Sequence, residues 1–401
     1  MSHRSHDRYQ LIKITVLNIS SLLHCLVIVK SNTLSVFNKK GVLLMKKRNI
    51  VLAAAMATAA LAASAQSNTL KTSGNWEFYG RAHMSIDKLD DGNTYNRVNL
   101  SSNSSRVGFR GDKSFGDLKG IWQVESEIIF TKASDATEKT NYWATRDTFA
   151  GVEGSFGNVK FGKFDTPFKI AREAANLFGD QLGDMRNITR AGAKFDERPN
   201  NIVQYQSPEM SGLRLTVAYA PHEGATAVNT GAVETQNAMG SASVSYNAGD
   251  VSAAFAYEGY EKDATGGQRD ATRMALSYKL NNHLKLVGFY QDAKYMNGTT
   301  DEGSKVTGFG AEYHIIPNHT VLRAHVMDRK ANKVNADSKM TAIGIDRIIS
   351  KELRFYANYA IATNGTAVKV APWVEGRSAN IAPSANGKDT SGISLGMRYD
   401  F

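Results

Sequence analysis

The sequence predicts an all-β fold: a 16-stranded antiparallel transmembrane β-barrel whose third long loop folds inward. Three observations lead there. Apolar residues recur at every second position in segment after segment, tight turns alternate with long polar connections, and no run of 18 or more uncharged apolar residues follows Ala65. The last of these leaves no candidate for a helical membrane span.

The alternation is the period of a strand with one apolar and one polar face. "WEFYGRAHMSI" puts Trp76, Phe78, Gly80, Ala82, Met84 and Ile86 on one side and Glu77, Tyr79, Arg81, His83 and Ser85 on the other. "SRVGFRG" sets Val107 and Phe109 against Arg106 and Arg110, and "GIWQVESEI" sets Trp122 and Val124 against Gln123 and Glu125. The chain closes on "GISLGMRYDF", with Ile393, Leu395, Met397, Tyr399 and Phe401 in one column. Such a segment is expected to pair with the first strand, close the barrel and place Phe401 in an aromatic girdle. Trp76, Trp122, Trp143, Phe149 and Tyr399 are expected to face lipid or the membrane interface as well.

Seven tight breaks fall at "DKSFGD", "GSFGN", "SPEMSG", "NAGD", "NNH", "IPN" and "SKE". Between them lie eight longer polar connections, among them "DKLDDGNTYN", "TKASDATEKTN" and "KDATGGQRD". Seven short and eight long connections join 16 strands, and turns short on one side and long on the other are the layout of an outer-membrane barrel. Closure follows from the solvent, because an open sheet edge in hydrocarbon would strand its N–H and C=O groups at several kcal/mol each. A barrel of roughly 16 to 18 strands also keeps a water-filled bore, so its inner face tolerates charge.

The N-terminal part points to export. From Met45, "MKKRNIVLAAAMATAALAASAQ" has a basic start, an Ala-rich apolar run and a small-residue site at Ala63-Ser64-Ala65. Residues 45–65 therefore read as a cleaved signal peptide, residues 1–44 as an over-extended start outside the mature protein, and residues 66–401 as the barrel. The whole chain has a formal net charge of +10, but residues 1–65 hold 9 of the 48 Lys+Arg and 1 of the 38 Asp+Glu. The remainder is close to neutral at about +2, so bulk charge supports no nucleic-acid partner. The single cysteine, Cys25, lies upstream, and the exported part needs no disulfide.

One connection is out of scale. "DTPFKIAREAANLFGDQLGDMRNITRAGAKFDE", residues 165–197, far exceeds ordinary loop length. With Phe164 just before it and Phe168, Ile170, Leu177, Phe178, Leu182 and Met185 within it, the segment is too apolar for disorder and is expected to pack inside the barrel.

"SRVGFRGDKSFGDLKGIWQVE", "RDTFAGVEGSFGNVKFGKFDTP", "NNIVQYQSPEMSGLRLTVAYAP" and the terminal "GMRYDF" resemble the Gram-negative general porins, beta-proteobacterial type, over the whole of residues 66–401. The resemblance implies a homotrimer of 16-stranded barrels in the cell outer membrane, through which small hydrophilic solutes and inorganic ions diffuse passively. It implies an eyelet made by the third loop, with a basic ladder on the wall carried onto Arg81, Arg106, Arg146 and Arg198. The facing acids would be Glu173, Asp180 and Asp184. Outer-membrane lipid, lipopolysaccharide and the assembly machinery, which reads the terminal aromatic strand, are the implied partners. The loop departs from enterobacterial relatives: it reads "FGDQLGD" where they carry Pro-Glu-Phe, and it adds Lys169, Arg172, Arg186, Arg190 and Lys194.

Opposed charges across a narrow gap with low-dielectric walls focus a field and bias ions. Arginine suits the work because it stays charged and stacks its planar donors, and basic rings favour anions. The alternative for each arginine is a structural pairing with a lumen carboxylate such as Glu125 or Asp112. His83, His222, His283, His314, His319 and His325 show no metal-ligand spacing, no cofactor is called for, and no nucleophile and base stand at a spacing that suggests catalysis. A passive channel with weak anion preference is the leading reading; an adhesin or receptor barrel and a barrel hydrolase are the alternatives.

Overall fold

In a computed structural model the described residues are 10–14, 25–30, 33–38, 41–46, 74–131, 144–221, 238–261 and 268–401. The chain divides into two units, 1–72 and 73–401. In the first, Gln10–Ile14, Cys25–Lys30, Thr33–Asn38 and Gly41–Lys46 pair in order as an antiparallel meander. The expected export cleavage site at 63–65 and Trp143 lie outside the described residues.

The second unit is a closed antiparallel barrel. Its staves are β1 Asn75–Asp90, β2 (in two pieces, Asn96–Ser102 and Arg106–Phe115), β3 Leu118–Glu127, β4 Thr148–Gly154, β5 Gly157–Lys163, β6 Ile202–Gln206, β7 Leu213–Ala220 and β8 Met239–Ala248. They continue as β9 Val251–Tyr260, β10 Arg269–Lys279, β11 Leu284–Asn297, β12 (Thr300–Asp301 and Ser304–Ile316), β13 Thr320–Ala331, β14 Ser338–Ile348, β15 Leu353–Asn364 and β16 Thr390–Asp400. Sixteen staves result, and all seven tight breaks read from the sequence fall at the short turns. No described helix is long and apolar enough to cross a membrane.

The seam closes as the alternation requires. β16 pairs with β1 from Ser391 opposite Asp90 to Asp400 opposite Arg81. Beyond it, Gly80 N–H donates to the Phe401 carbonyl at 2.7 Å and Phe401 N–H donates to the Gly80 carbonyl at 3.0 Å. The Phe401 ring lies 5.9 Å from Phe78 and 5.7 Å from Tyr399, centroid to centroid. Ile393, Leu395, Tyr399, Trp76 and Trp122 are exposed on the outside, the solvent expected there being lipid. Phe149 differs from expectation. Its neighbours Ala150 and Val152 take the outer face, and Phe149 turns inward to meet Phe164 edge-on at 5.9 Å, because the base of the third loop needs an apolar seat there.

The core sits inside the barrel, between the wall and the third loop, residues 164–201. That loop contains α1 Pro167–Ala171, capped by Thr166, whose side chain accepts from Lys169 N–H, and α2 Arg186–Thr189. Phe164, Phe168 and Phe195 pack on Ile202 of β6, Met239 of β8, Ala271 of β10 and Ala293 of β11. Leu177, Phe178, Leu182, Met185 and Ile188 pack on Phe289, Val306, Met327, Met340 and Ala360, together with Trp373 from the last long loop, residues 365–389. Each such side chain contributes about 1.5–3 kcal/mol. Ile170 is the exception among the apolar loop residues, 50% exposed on α1.

Hydrogen bonds fix the loop's height in the bore. Arg273 of β10 donates to the Phe168 carbonyl at 2.8 Å, Gln291 of β11 to the Thr189 carbonyl at 2.8 Å, and Arg323 of β13 to the Leu177 carbonyl. All three donors lie on the buried column of staves whose alternate residues Met274, Tyr290 and Leu322 are exposed.

Candidate functional site

β2 is broken opposite His83. Three register steps on β1, from Arg81 to Met84, face four on β2, from Ser102 to Arg106. One extra residue is a bulge, which bends a strand and re-aims its side chains. Ser104 takes the left-handed region at φ 51°, and the Ser105 hydroxyl accepts from His83 N–H at 3.0 Å and donates to the His83 carbonyl at 2.9 Å. Arg106, the first residue past the break, is thereby aimed at the loop.

The four wall arginines separate into three settings. Arg106 Nη1 lies 3.6 Å from Glu125 Oε1, while its Nη2 reaches across to Asp180 Oδ2 of the loop, also at 3.6 Å. Arg146 donates from Nε to Glu125 at 2.6 Å, and the Tyr79 hydroxyl donates to the other Glu125 oxygen at 2.9 Å. Arg81 pairs with Asp400 at 2.5 Å. Arg198 stands apart from these, held by Asp147 at 2.5 Å and Asp165 at 2.7 Å near the root of the loop.

The three loop acids differ as much. Asp180, in the left-handed region at φ 58°, meets the wall. Burial pushes its carboxyl up, but the Arg186 and Arg106 guanidiniums outweigh that and hold it well below the ordinary carboxylate range. Asp184 is buried and turned into the loop, accepting from Asp180 N–H at 2.7 Å, Arg186 N–H at 2.8 Å and the Arg186 guanidinium at 2.7 Å. It therefore organises Asp180 and does not itself face the wall. Glu173 is exposed beside Arg172 at 3.2 Å. The loop's own cations are largely consumed locally: Lys169 by Asp165, Arg172 by Asp196, and Arg190 by Glu197.

Sequence reasoning missed Arg398, whose Nε and Nη2 pair with Asp400 at 2.8 and 2.7 Å. The signal was present, since Arg398 and Asp400 occupy the polar column of the last strand. It also missed Arg273–Asp196 and Arg377–Asp87, buried pairs that tie loops to the wall. Those pairings join segments far apart in the chain, so no local pattern announces them. His83, placed by its alternation on the polar face, is buried, its Nε2 3.0 Å from the Tyr356 hydroxyl.

A closed 16-stranded barrel with an apolar exterior, a charged interior and a long loop packed inside defines an outer-membrane β-barrel of the wide-bore class. Residues 52–367 match the family model of the Gram-negative porins. Outer membrane porin protein 32 of Delftia acidovorans is 25% identical over 335 residues, 80% of this chain and 91% of that one. Major outer membrane protein P.IA of Neisseria meningitidis serogroup B is 28% identical over 155 residues, and the matched part spans 38% of each chain. Among solved structures, the anion-selective porin from Comamonas acidovorans superposes with a TM-score of 0.71 at 21% identity, covering 82% of this chain and 100% of that one. The chain belongs to the Gram-negative porin family and to the outer membrane.

Proposed function

We propose that the protein is a homotrimeric, passive diffusion channel for small hydrophilic solutes and inorganic ions, with a weak preference for anions. The observation that carries the reading is the basic cluster beside the gap, Arg106 pairing with Asp180 of the loop at 3.6 Å and Arg146 standing next to it on Glu125. Around that gap stand four guanidiniums, Arg81, Arg106, Arg146 and Arg186, and three carboxylates, Glu125, Asp180 and Asp400. The excess is a single positive charge. A small excess in a water-filled bore gives a bias, not a filter. The similarity to a porin described as anion-selective supports the sign, and an OmpT structure of Vibrio cholerae described as a trimer form supports the assembly.

Membrane-facing partners are outer-membrane lipid and lipopolysaccharide, against the exposed apolar columns. The assembly machinery would read the aromatic seam at Tyr399 and Phe401, and export would proceed through cleavage after Ala65. No catalytic role is proposed. Single-channel conductance in a planar bilayer under a KCl gradient tests the reading: stable pores with a reversal potential on the anion side are expected. An intact trimer without conductance would refute the channel, and a cation-side potential would refute the preference.

A further inference from the structure

The basic wall does not stop at Arg81. β16 continues it with Arg398, which lies opposite His83 of β1 in the register, and β15 continues it with Arg354, which lies directly opposite Arg398. Both occupy inward positions: the flanking Phe355, Leu395 and Tyr399 are exposed on the outer face, while Tyr356 and Ser394, in step with Arg354 and Arg398, are buried. Arg354 is the second residue of its stave after the short turn 349–352. The arginines therefore run from the constriction toward the short-turn mouth of the bore.

The charges along this run do not balance. Asp400 accepts from both Arg81 and Arg398, so one carboxylate serves two guanidiniums. Arg354 has no ion pair among the described residues. The other carboxylates on the neighbouring inner wall have closer partners: Asp346, which the charge of Arg354 also reaches, bonds to Arg323 at 2.5 Å, Glu312 to Lys285 at 2.6 Å, and Asp87 to Arg377. Two guanidiniums facing each other across a register repel, and such a pair is unfavourable unless something anionic lies between them. A half-buried Arg354 beside Arg398 offers forked donors to that something, the geometry that suits phosphate and carboxylate oxygens.

We propose that Arg354 and Arg398 form a second anion site, for small multivalent oxyanions, between the constriction and the short-turn mouth. It rests on the channel reading above and deepens it, since it separates where anions pause from where selectivity is set. An oxyanion arriving from the short-turn side meets this site first; one from the long-loop side must pass Arg106 and Asp180 before reaching it. Block of chloride current should therefore be sided.

The test uses the full-length trimer in planar bilayers, with inorganic phosphate added to one side at a time. Phosphate from the short-turn side is expected to reduce chloride current at a lower concentration than phosphate from the other side. Arg354→Gln should raise that half-blocking concentration about three- to tenfold, as expected for losing one charge-assisted contact, and should leave the long-loop-side value and the sign of the KCl reversal potential unchanged. Arg354→Lys, which keeps the charge but loses the fork, should fall between. Equal block from both sides in the unaltered protein, or an unchanged half-blocking concentration in both variants, would overturn the site. Failure of the channel reading looks different: no conductance, or a cation-side potential, in the unaltered protein.

Discussion

Selectivity should follow the charge count at the gap, and stepwise neutralisation tests that. Four guanidiniums stand around three carboxylates there, so Arg106→Gln brings the excess to zero and Arg106→Gln with Arg146→Gln inverts it. A unit charge about 6 Å from a permeating ion is worth about 0.7 kcal/mol in water, and the ion atmosphere at 0.1 M salt reduces that by roughly half. Each neutralisation then changes anion partitioning about two- to threefold and cation partitioning by the inverse, about four- to tenfold in the permeability ratio. The double variant should cross to cation preference.

Glu125 complicates the reading, because its side chain is only 6% exposed and Arg146 is its closest partner at 2.6 Å. Leaving a buried carboxylate uncompensated costs about 3–5 kcal/mol. Arg146→Gln combined with Glu125→Gln removes the pair together and keeps the count at one excess positive charge, so it should retain the original selectivity. Reversal potentials under a KCl gradient read all four proteins, with heat-modifiable migration on a gel as the check on folding. An unchanged potential in the Arg106/Arg146 double variant would mean that these arginines only stiffen the wall. A large shift in the Arg146/Glu125 double variant would mean that position, not count, sets selectivity.

Other outcomes follow from the same geometry. Asp196→Asn should strand the fully buried Arg273, which Asp196 holds at 2.5 and 3.1 Å, at a cost of about 3–5 kcal/mol; a looser third loop should appear as larger, noisier conductance, and quiet pores of unaltered size would show that the apolar clusters suffice. Gly80→Val should slow folding into the bilayer, because a Cβ there would clash with the Phe401 ring and come within 2.9 Å of the Arg106 carbonyl oxygen; unaltered folded yield would rule out the seam as a control point. Deleting Phe401 removes both of its hydrogen bonds with Gly80 and should lower assembled trimer while leaving the conductance of surviving pores near the original. The Asp180 carboxyl sits below its ordinary value because Arg186 and Arg106 outweigh burial. A depressed carboxylate keeps its full contribution above the unfolded value of about 3.9 and loses it only as pH falls through the lower folded one. Selectivity should thus stay flat from pH 8 down to about 4.5, and a transition near neutrality would refute the assignment of Asp180 to the gap.

By itself the sequence determined the barrel. Period two assigns each strand residue to a face without reference to anything distant, and the turn residues count the staves; both are local properties. The seam was equally legible, since a last strand in hydrocarbon can satisfy its backbone N–H and C=O groups only by closing on β1. Arg81 and Arg106 on the inner face could be read the same way, whereas Arg146 came from the resemblance. Only the tertiary structure decided which acid meets them. Asp180 reaches Arg106 because Asp180 and Gly183 adopt left-handed backbone, at φ 58° and 90°, and because Gly183 packs against Ala342 and Ala360 of β14 and β15. The fate of Asp184, Phe149, His83 and Ile170 turned on the same packing. A loop has no period to announce its faces, so its side chains take their roles from walls built of residues far along the chain, and those contacts exist only once the barrel has closed.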